Sequence, residues 1–280
     1  MPGISLADAD SVIVECALGQ SIQDALGKKN PDRPLTVVIR GVCTQPVTIK
    51  HDDVTLEGDG GTVAAGVAID GARRVVVAGL TITNPAGDGV TVTNGGSATI
   101  SNNHIDDNAG YGIFLRHASF AIVNNNTMLR NGIINPTTVD ASGIGVSLGS
   151  MVRASQNQIG ENANTGIEVF DNSTYRSEGD VIAMRTSAPG RSAVDIFRAG
   201  YVDLRGAAVD GRVDVSQQSQ LQVRNLAGLT STITGNIVVS GLSLLRLRAG
   251  VVRVASTLIC GASFSVCTCD GLPSCPISVP

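Results

Sequence analysis

The sequence predicts an all-β solenoid, in which short parallel strands wind into coils that stack on one another. Apolar-x-apolar segments recur at a nearly constant spacing along most of the chain, and an asparagine recurs in step with them. The composition agrees, because the 280 residues include 33 Gly but only 3% aromatic residues and no Trp. Small and β-branched side chains suit thin stacked layers better than a compact sandwich, whose core relies on large rings.

Each repeat contains three apolar-x-apolar segments, and alternation with a period of two residues makes each segment a strand with one buried face. The first segment recurs as Val90/Val92, Ile113/Leu115, Val146/Leu148, Ile167/Val169, Val194/Ile196, Val213/Val215 and Ile237/Val239. The second begins eight residues later in most copies, but six residues later at Val152/Ala154. The third ends at Ile82, Ile105, Met128, Ile159, Ile182 and Val209. Because one coil cannot bury its apolar face alone, the coils must stack.

One polar column falls between the second and third segments. It reads Leu80, Asn103, Asn126, Asn157, Asp180 and Ala207. Asn tolerates the left-handed backbone that a tight corner requires. Stacked amides can also bond to the amide above and below, so the column predicts a side-chain ladder.

The phrases GDGVTV, ATISNNHI, GYGIFL, AIVNNNTM and TGIEVF resemble the repeats of right-handed parallel β-helix proteins. That group includes pectate lyases, polygalacturonases, alginate epimerases, phage tailspikes and proteins with periplasmic copper-binding-type repeats. The resemblance covers roughly residues 35–255 and implies a right-handed parallel β-helix of about nine or ten coils. It also implies that the first segments form the sheet that carries the active cleft in many family enzymes. The polygalacturonase motifs NTD, GHG and RIK and the epimerase motif DPHD are absent, so the resemblance specifies fold rather than activity.

The two ends differ from the coils, and we predict three parts: residues 1–34 as an N-terminal strand and capping helix, 35–255 as the β-helix and 256–280 as a Cys-rich cap. Residues 20–28, QSIQDALGK, have helical spacing, with Ser21 as the N-cap. This segment resembles the short helix that covers the N-terminal end in the family.

Six cysteines lie near the two ends, and their even number indicates disulfides and an oxidising compartment. Cys16 and Cys43 flank the capping helix, where a disulfide could pin it. The other four allow three pairings, among which the sequence does not choose, and they are Cys260, Cys267, Cys269 and Cys275. A zinc site is the alternative, but the region has no His and no pair of C-x2-C knuckles. We predict a secreted, periplasmic or cell-surface protein whose leader has been removed.

Bulk properties limit the partners. The net charge of −4 and the pI of about 5.3 argue against a nucleic-acid partner, which usually needs a basic face. No stretch approaches the ~20 apolar residues of a membrane helix, so no transmembrane segment is predicted. The oligomeric state is left open.

Two insertions lengthen the coils on one side of the predicted first sheet. About ten extra residues lie within NGIINPTTVDASG, and four more precede Val194. Solenoid insertions often lie on the binding face. The outward positions there form one column of Thr91, Phe114, Ser147, Glu168, Asp195 and Asp214, and a second of Thr93, Arg116, Gly149, Phe170, Phe197 and Ser216.

These columns suit an extended and acidic polysaccharide, because rings stack on sugars and Arg pairs with carboxylates. The candidate substrate-binding residues are Phe114, His117, Asp140, Phe170, Asp171, Phe197 and Arg198. Glu168 and Asp195 are the candidate catalytic pair, since they lie on successive coils ~4.8 Å apart and repulsion raises one pKa. Arg116 is the candidate for stabilising negative charge. As an enzyme, the protein would be a polysaccharide lyase, an epimerase or a glycoside hydrolase.

Other interpretations of the same residues stay open. Adjacent Glu and Asp also suit Ca²⁺, and no other cofactor is expected. Exposed Phe side chains also suit a subunit interface, which would make the protein a non-catalytic structural or adhesive β-helix. The third alternative is that the columns are a plain solvated surface.

Overall fold

A computed structural model describes residues 10–30, 32–133, 141–185, 191–248, 253–254, 258–260, 266–270 and 277–278. In this part the chain forms a parallel β-helix of three sheets, as the sequence predicts. The ten strands of the smallest sheet correspond to about ten coils.

Each coil contributes one strand to each sheet. The first sheet has eleven strands: Val47–Ile49, Val67–Asp70, Val90–Thr93, Ile113–Leu115, Ile144–Val146, Ile167–Val169, Ser192–Ile196, Arg212–Val215, Ile237–Val239, Leu258–Cys260 and Ile277–Ser278. The second has twelve: Asp10–Glu15, Leu35–Arg40, Val54–Gly58, Val75–Ala78, Ser97–Ser101, Phe120–Asn124, Met151–Ser155, Thr174–Glu178, Tyr201–Arg205, Gln220–Arg224, Leu244–Arg248 and Val266–Asp270. The third has ten: Val42–Cys43, Thr62–Val63, Thr81–Ile82, His104–Ile105, Thr127–Leu129, Gln158–Gly160, Val181–Ala183, Ala208–Asp210, Thr232–Ile233 and Arg253–Val254.

One apolar core runs along the axis of the solenoid. Alternate residues of most strands whose side chains the structure describes point into it, so Val90 and Val92 are fully buried while Thr91 between them is partly exposed. Most core side chains are Val, Ile, Leu or Ala, and the largest fully buried one is Tyr175. The low aromatic content of the sequence therefore reflects the narrow interior of each coil.

The predicted register is confirmed in the second and third sheets, and is wrong at one coil of the first. Ile113 pairs with Ile144, so the buried pair of that coil is Ile144/Val146 rather than Val146/Leu148. Leu148 lies in the following turn with φ 52° and is 46% exposed. The corrected strand also restores the eight-residue step to Val152, and the first insertion accordingly has eight extra residues rather than ten.

The asparagine ladder is confirmed. The Nδ2 of Asn103 donates to Oδ1 of Asn126 (3.0 Å), Asn126 to Asn157 (3.1 Å) and Asn157 to Asp180 (2.9 Å). However, the left-handed backbone belongs to the residue before each ladder position, as at Asn102 with φ 58°. The ladder asparagines therefore serve as hydrogen-bonding groups and are not themselves the left-handed residues.

The structure contains a second asparagine ladder that the sequence did not predict. It follows the third sheet, where Asn108 donates to Asn131 (2.7 Å) and Asn131 donates to Asn162 (2.9 Å). All three side chains are buried. The two ladders fix the corners on both sides of the short third strands.

The N-terminal end has the predicted helix, Ile22–Gly27, preceded by a 3₁₀ turn at Cys16–Leu18. The Ser21 hydroxyl accepts a hydrogen bond from the backbone N–H of Asp24, which confirms the N-cap. A disulfide joins Cys16 to Cys43, as predicted.

At the other end, a second disulfide joins Cys260 to Cys267. Cys275 and the side chain of Cys269 lie outside the described part of the chain. The division into three parts at residues 34 and 255 stays a prediction.

Candidate functional site

Two columns of outward-facing side chains run along the middle of the first sheet. The first column reads Thr91, Phe114, Gly145, Glu168, Asp195 and Asp214. The second reads Thr93, Arg116, Ser147, Phe170, Phe197 and Ser216. Gly145 thus takes the place predicted for Ser147, and Ser147 the place predicted for Gly149, because that strand begins two residues earlier than expected.

Tyr111 covers the gap that Gly145 leaves in the first column. Its ring stacks on Phe114 with the centroids 4.5 Å apart, and a Cβ at residue 145 would lie 2.6 Å from Cε1 of Tyr111. The Tyr111 hydroxyl donates to Oε2 of Glu168 at 2.6 Å. Glu168 is therefore only 6% exposed, although it points away from the apolar core. The sequence did not predict Tyr111, because Gly145, whose missing side chain makes room for the ring, falls in the outward column only in the corrected register.

Asp195 lies beside Glu168 in the neighbouring strand, as predicted. Partial burial raises the pKa of the Asp195 carboxyl to about 6, and the negative charge of Asp214 on the next strand adds to this effect. Asp214 is itself held by Arg212 at 2.7 Å and by the hydroxyl of Ser192. A carboxyl with a pKa near neutrality can accept or donate a proton under ordinary conditions.

Phe170 and Phe197 form a stacked pair in the second column. Their centroids are 5.0 Å apart and their planes differ by 3°. The guanidinium of Arg198 lies 5.0 Å from each centroid, and its Nε is 3.0 Å from Oδ1 of Asp171. Rings, a cation and a carboxylate of the predicted set are therefore in contact. Phe170 and Phe197 are both partly exposed, so solvent reaches the stacked pair.

Arg116 lies near Phe114, with 5.6 Å from the guanidinium to the ring centroid. Two strand spacings, roughly 10 Å, separate its strand from that of Glu168. Burial raises the pKa of the nearby Asp88, while a hydrogen bond from the Tyr111 backbone and the charge of Arg116 oppose that shift. Arg116 is thus placed to bind a charged group along the sheet rather than beside the carboxylate pair.

Of the two remaining predicted binding residues, His117 is described by the structure and Asp140 is not. His117 stands at the end of its strand, with Nδ1 3.0 Å from the hydroxyl of Thr93. Asp140 lies outside the described residues. Across the described ranges, no group of three or more His, Cys, Asp or Glu side chains is arranged to hold a metal ion.

Four findings concern membrane-spanning helices and related proteins. None of the helices in the described part is long and apolar enough to cross a membrane. A family model described as "Right handed beta helix region" matches residues 37–184, and no curated protein sequence matches. Among solved structures, the crystal structure of pectate lyase Pel9A is similar, with a TM-score of 0.56 and 13% identity over 99% of this chain and 79% of that chain. At this identity the likeness shows the fold alone.

Proposed function

The chain belongs to the right-handed β-helix family, and from that premise we propose that it binds an extended, acidic polysaccharide along its first sheet and processes it at Glu168 and Asp195. The observation that carries the proposal is the stacked pair of Phe170 and Phe197 beside Asp195. Aromatic faces stack on sugar rings, and the arginines beside them can pair with uronate carboxylates. The similar fold of a pectate lyase supports a polysaccharide as the ligand.

The proposed chemistry is proton transfer. With a pKa of about 6, Asp195 is mostly ionised at pH 7 and can remove a proton beside a uronate carboxylate. Glu168 is oriented by the Tyr111 hydroxyl. Arg116 would bind the carboxylate of another sugar unit, further along the polysaccharide. A lyase and an epimerase both need such a base, and a hydrolase needs a pair of carboxyls. The products distinguish the three reactions.

An activity screen tests the proposal. The protein is incubated with pectate, alginate, neutral glycans and glycosaminoglycans, with and without Ca²⁺. Mass spectrometry detects released oligosaccharides, and proton NMR of the remaining polymer detects epimerisation. We expect a reaction on a uronate polymer that is lost in Glu168→Gln and in Asp195→Asn. Glu57→Gln, which changes an exposed carboxylate of the second sheet, is the matched control and should retain activity. Folded protein without activity on any of these polymers would contradict the catalytic part.

Binding is tested separately by calorimetry with the polymer that reacts, or with pectate if none reacts. Phe197→Ala should weaken binding roughly tenfold, because it removes half of the stacked pair. Tyr201→Ala, which removes a partly exposed ring from the second sheet, is the control. Equal losses in the two variants would contradict a binding surface on the first sheet.

Self-association is the second candidate function, and the same partly exposed pair favours it. In that case the protein is a structural or adhesive β-helix whose subunits meet through Phe170 and Phe197. Light scattering after size exclusion separates the two proposals. A stable oligomer that dissociates on Phe170→Asp would support the interface, whereas a monomer leaves the surface free for a polysaccharide.

We also propose that the protein is exported to the cell surface, the periplasm or the medium. The disulfides Cys16–Cys43 and Cys260–Cys267 support this proposal, since such bonds persist in oxidising compartments. The test is the mass of the native protein after alkylation without a reductant. Alkylation of all six cysteines would contradict it.

A further inference from the structure

A shallow cavity of about 400 Å³ lies on the second sheet, away from the two columns described above. Three arginines line it, namely Arg153, Arg176 and Arg205. Nothing in the proposed polysaccharide site uses these residues. Their charges and partners indicate what the cavity can bind.

Arg153 and Arg176 stand directly opposite each other on neighbouring strands, so their Cα atoms are ~4.8 Å apart. Both side chains are exposed, and none of the ion pairs within the described ranges involves either of them. Like charges directly opposite each other on a sheet are destabilising. An anion between the two guanidinium groups would remove that repulsion.

The nearest carboxylates are already paired. Asp203 follows Arg176 along the same column, but it is buried and accepts hydrogen bonds from Arg205 and Arg224. Burial raises the pKa of Asp203, yet these hydrogen bonds outweigh it and leave the pKa below its usual value. Glu178 pairs with Arg205 at 3.1 Å. The surplus positive charge of the cavity therefore belongs to the two facing arginines.

The other side chains that line the cavity include polar and apolar ones. Ile122 precedes Arg153 in the column, and the Ser155 hydroxyl donates to Oδ1 of Asn124 at 2.8 Å. The ring of Phe120 lies 5.9 Å from the Arg153 guanidinium and helps to hold it in place. An apolar side chain, an amide and two forked cations suit a sugar that carries an oxyanion. The net charge of −4 disfavours a polynucleotide, which would need a broad basic face.

We infer that this cavity binds the carboxylate or sulfate groups of an acidic oligosaccharide through Arg153 and Arg176. The inference does not depend on the first sheet, because the two surfaces belong to different sheets. Binding here should weaken with added salt, since both arginines are exposed.

The test uses NMR signals of the arginine Nε–Hε groups in the full-length protein, assigned with single Arg→Gln variants. The probes are trigalacturonate, a sulfated disaccharide, a neutral trisaccharide and inorganic sulfate. We expect the signals of Arg153 and Arg176 to shift with at least one of the two acidic sugars and not with the neutral one. Whether the carboxylate or the sulfate ester binds more tightly identifies the preferred anion.

Calorimetry with the preferred probe gives the second readout. Arg176→Gln should weaken binding roughly tenfold, whereas Arg246→Gln, at an exposed position further along the same column, should leave it unchanged. Unchanged circular dichroism shows that both variants are folded. No shift at millimolar probe, an equal shift with the neutral sugar, an equal loss in Arg246→Gln, or binding of inorganic sulfate as tight as that of the sugars would each overturn the inference.

Discussion

Three carboxyls occupy successive strands of one column, yet their surroundings differ. Glu168 accepts a hydrogen bond from Tyr111, and Asp214 is held by Arg212 and Ser192. Asp195 stands between the two carboxyls and gains only the backbone N–H of Ile196 and the more distant charge of Arg212. The pKa of Asp195 is therefore raised because of its place in the column. The carboxyls on either side of it are held by hydrogen bonds, whereas Asp195 is suited to proton transfer.

Asp195→Asn should alter the pH dependence of stability. The folded-state pKa of about 6 lies above the ordinary 3.8, so the folded protein holds this proton more tightly than the unfolded chain. The contribution of Asp195 to the stability of the wild type is therefore lost as the pH rises from about 4 to about 6, and the variant lacks that loss. The free energy of unfolding of the variant minus that of the wild type should therefore be larger at pH 7.5 than at pH 4, by on the order of 2 kcal/mol. Urea unfolding at the two pH values measures this. Glu57→Gln, which changes an exposed carboxylate of the second sheet, is the control, and a pH-independent difference for Asp195→Asn would contradict the raised pKa.

Gly145→Ala should displace the Tyr111 ring. The new Cβ would lie 2.6 Å from Cε1 of Tyr111, so the ring must move and its hydrogen bond to Glu168 is weakened or lost. Overpacking of this kind costs about 1–3 kcal/mol. Thermal unfolding measures the loss. Gly160→Ala is the matched control, because a Cβ there meets its nearest neighbour, Ala183, at an ordinary 3.6 Å. Equal effects of the two substitutions would contradict the packing described for Tyr111.

At the scale of elements, the sequence predicts most strands because alternation leaves few choices. The exception is SGIGVSL, which contains two overlapping apolar pairs, Ile144/Val146 and Val146/Leu148. The constant eight-residue step to Val152 favours the first pair, and the structure confirms it. Glu168 and Asp195 could be placed side by side because they lie within regular strands. Tyr111 could not, because it precedes its strand in a loop, where periodicity sets no direction for a side chain.

Asn126→Leu tests the first ladder. The Asn126 amide donates to the Ile100 carbonyl and to Asn157, and its oxygen accepts from the backbone and side chain of Asn103. Leucine leaves these buried groups without partners, so we expect a loss of about 1–3 kcal/mol in the free energy of unfolding. Denaturant titration gives the value. The same change at Asn236, whose side chain is exposed, should have little effect. No loss at Asn126 would show that the ladder contributes nothing.

At the scale of the whole molecule, coils contact mainly their neighbours, so stability is distributed along the axis. The two disulfides lie near opposite ends, and the coils between Cys43 and Cys260 contain no cysteine. The sequence predicts this arrangement from the positions of the cysteines alone. It could not choose among the pairings at the C-terminal end, because pairing depends on distances that only the fold sets.

Removal of the first disulfide should therefore loosen one end of the molecule and leave the middle folded. In the chain-entropy model, a bond that joins residues 27 apart contributes about 3.5 kcal/mol. We expect the double variant Cys16→Ser/Cys43→Ser to melt at a lower temperature with an unchanged far-ultraviolet β signal at 25 °C. Cys260→Ser/Cys267→Ser, which opens a separation of only 7 residues, should have a smaller effect. Complete unfolding of either variant would contradict a stability that is distributed along the axis.

The spacing of the first ladder also determines how such a chain can grow or shrink over evolutionary time. Asn103 and Asn126 are 23 residues apart, whereas Asn126 and Asn157 are 31 apart, and the eight additional residues leave the amides in line. Excision of residues 104–126 would place Thr127 where His104 stands, since these two residues pair in the third sheet. The product would be shorter by one strand spacing, ~4.8 Å, with every sheet still continuous. Duplication or loss of a whole turn is thus a length change that this architecture accommodates without a new fold.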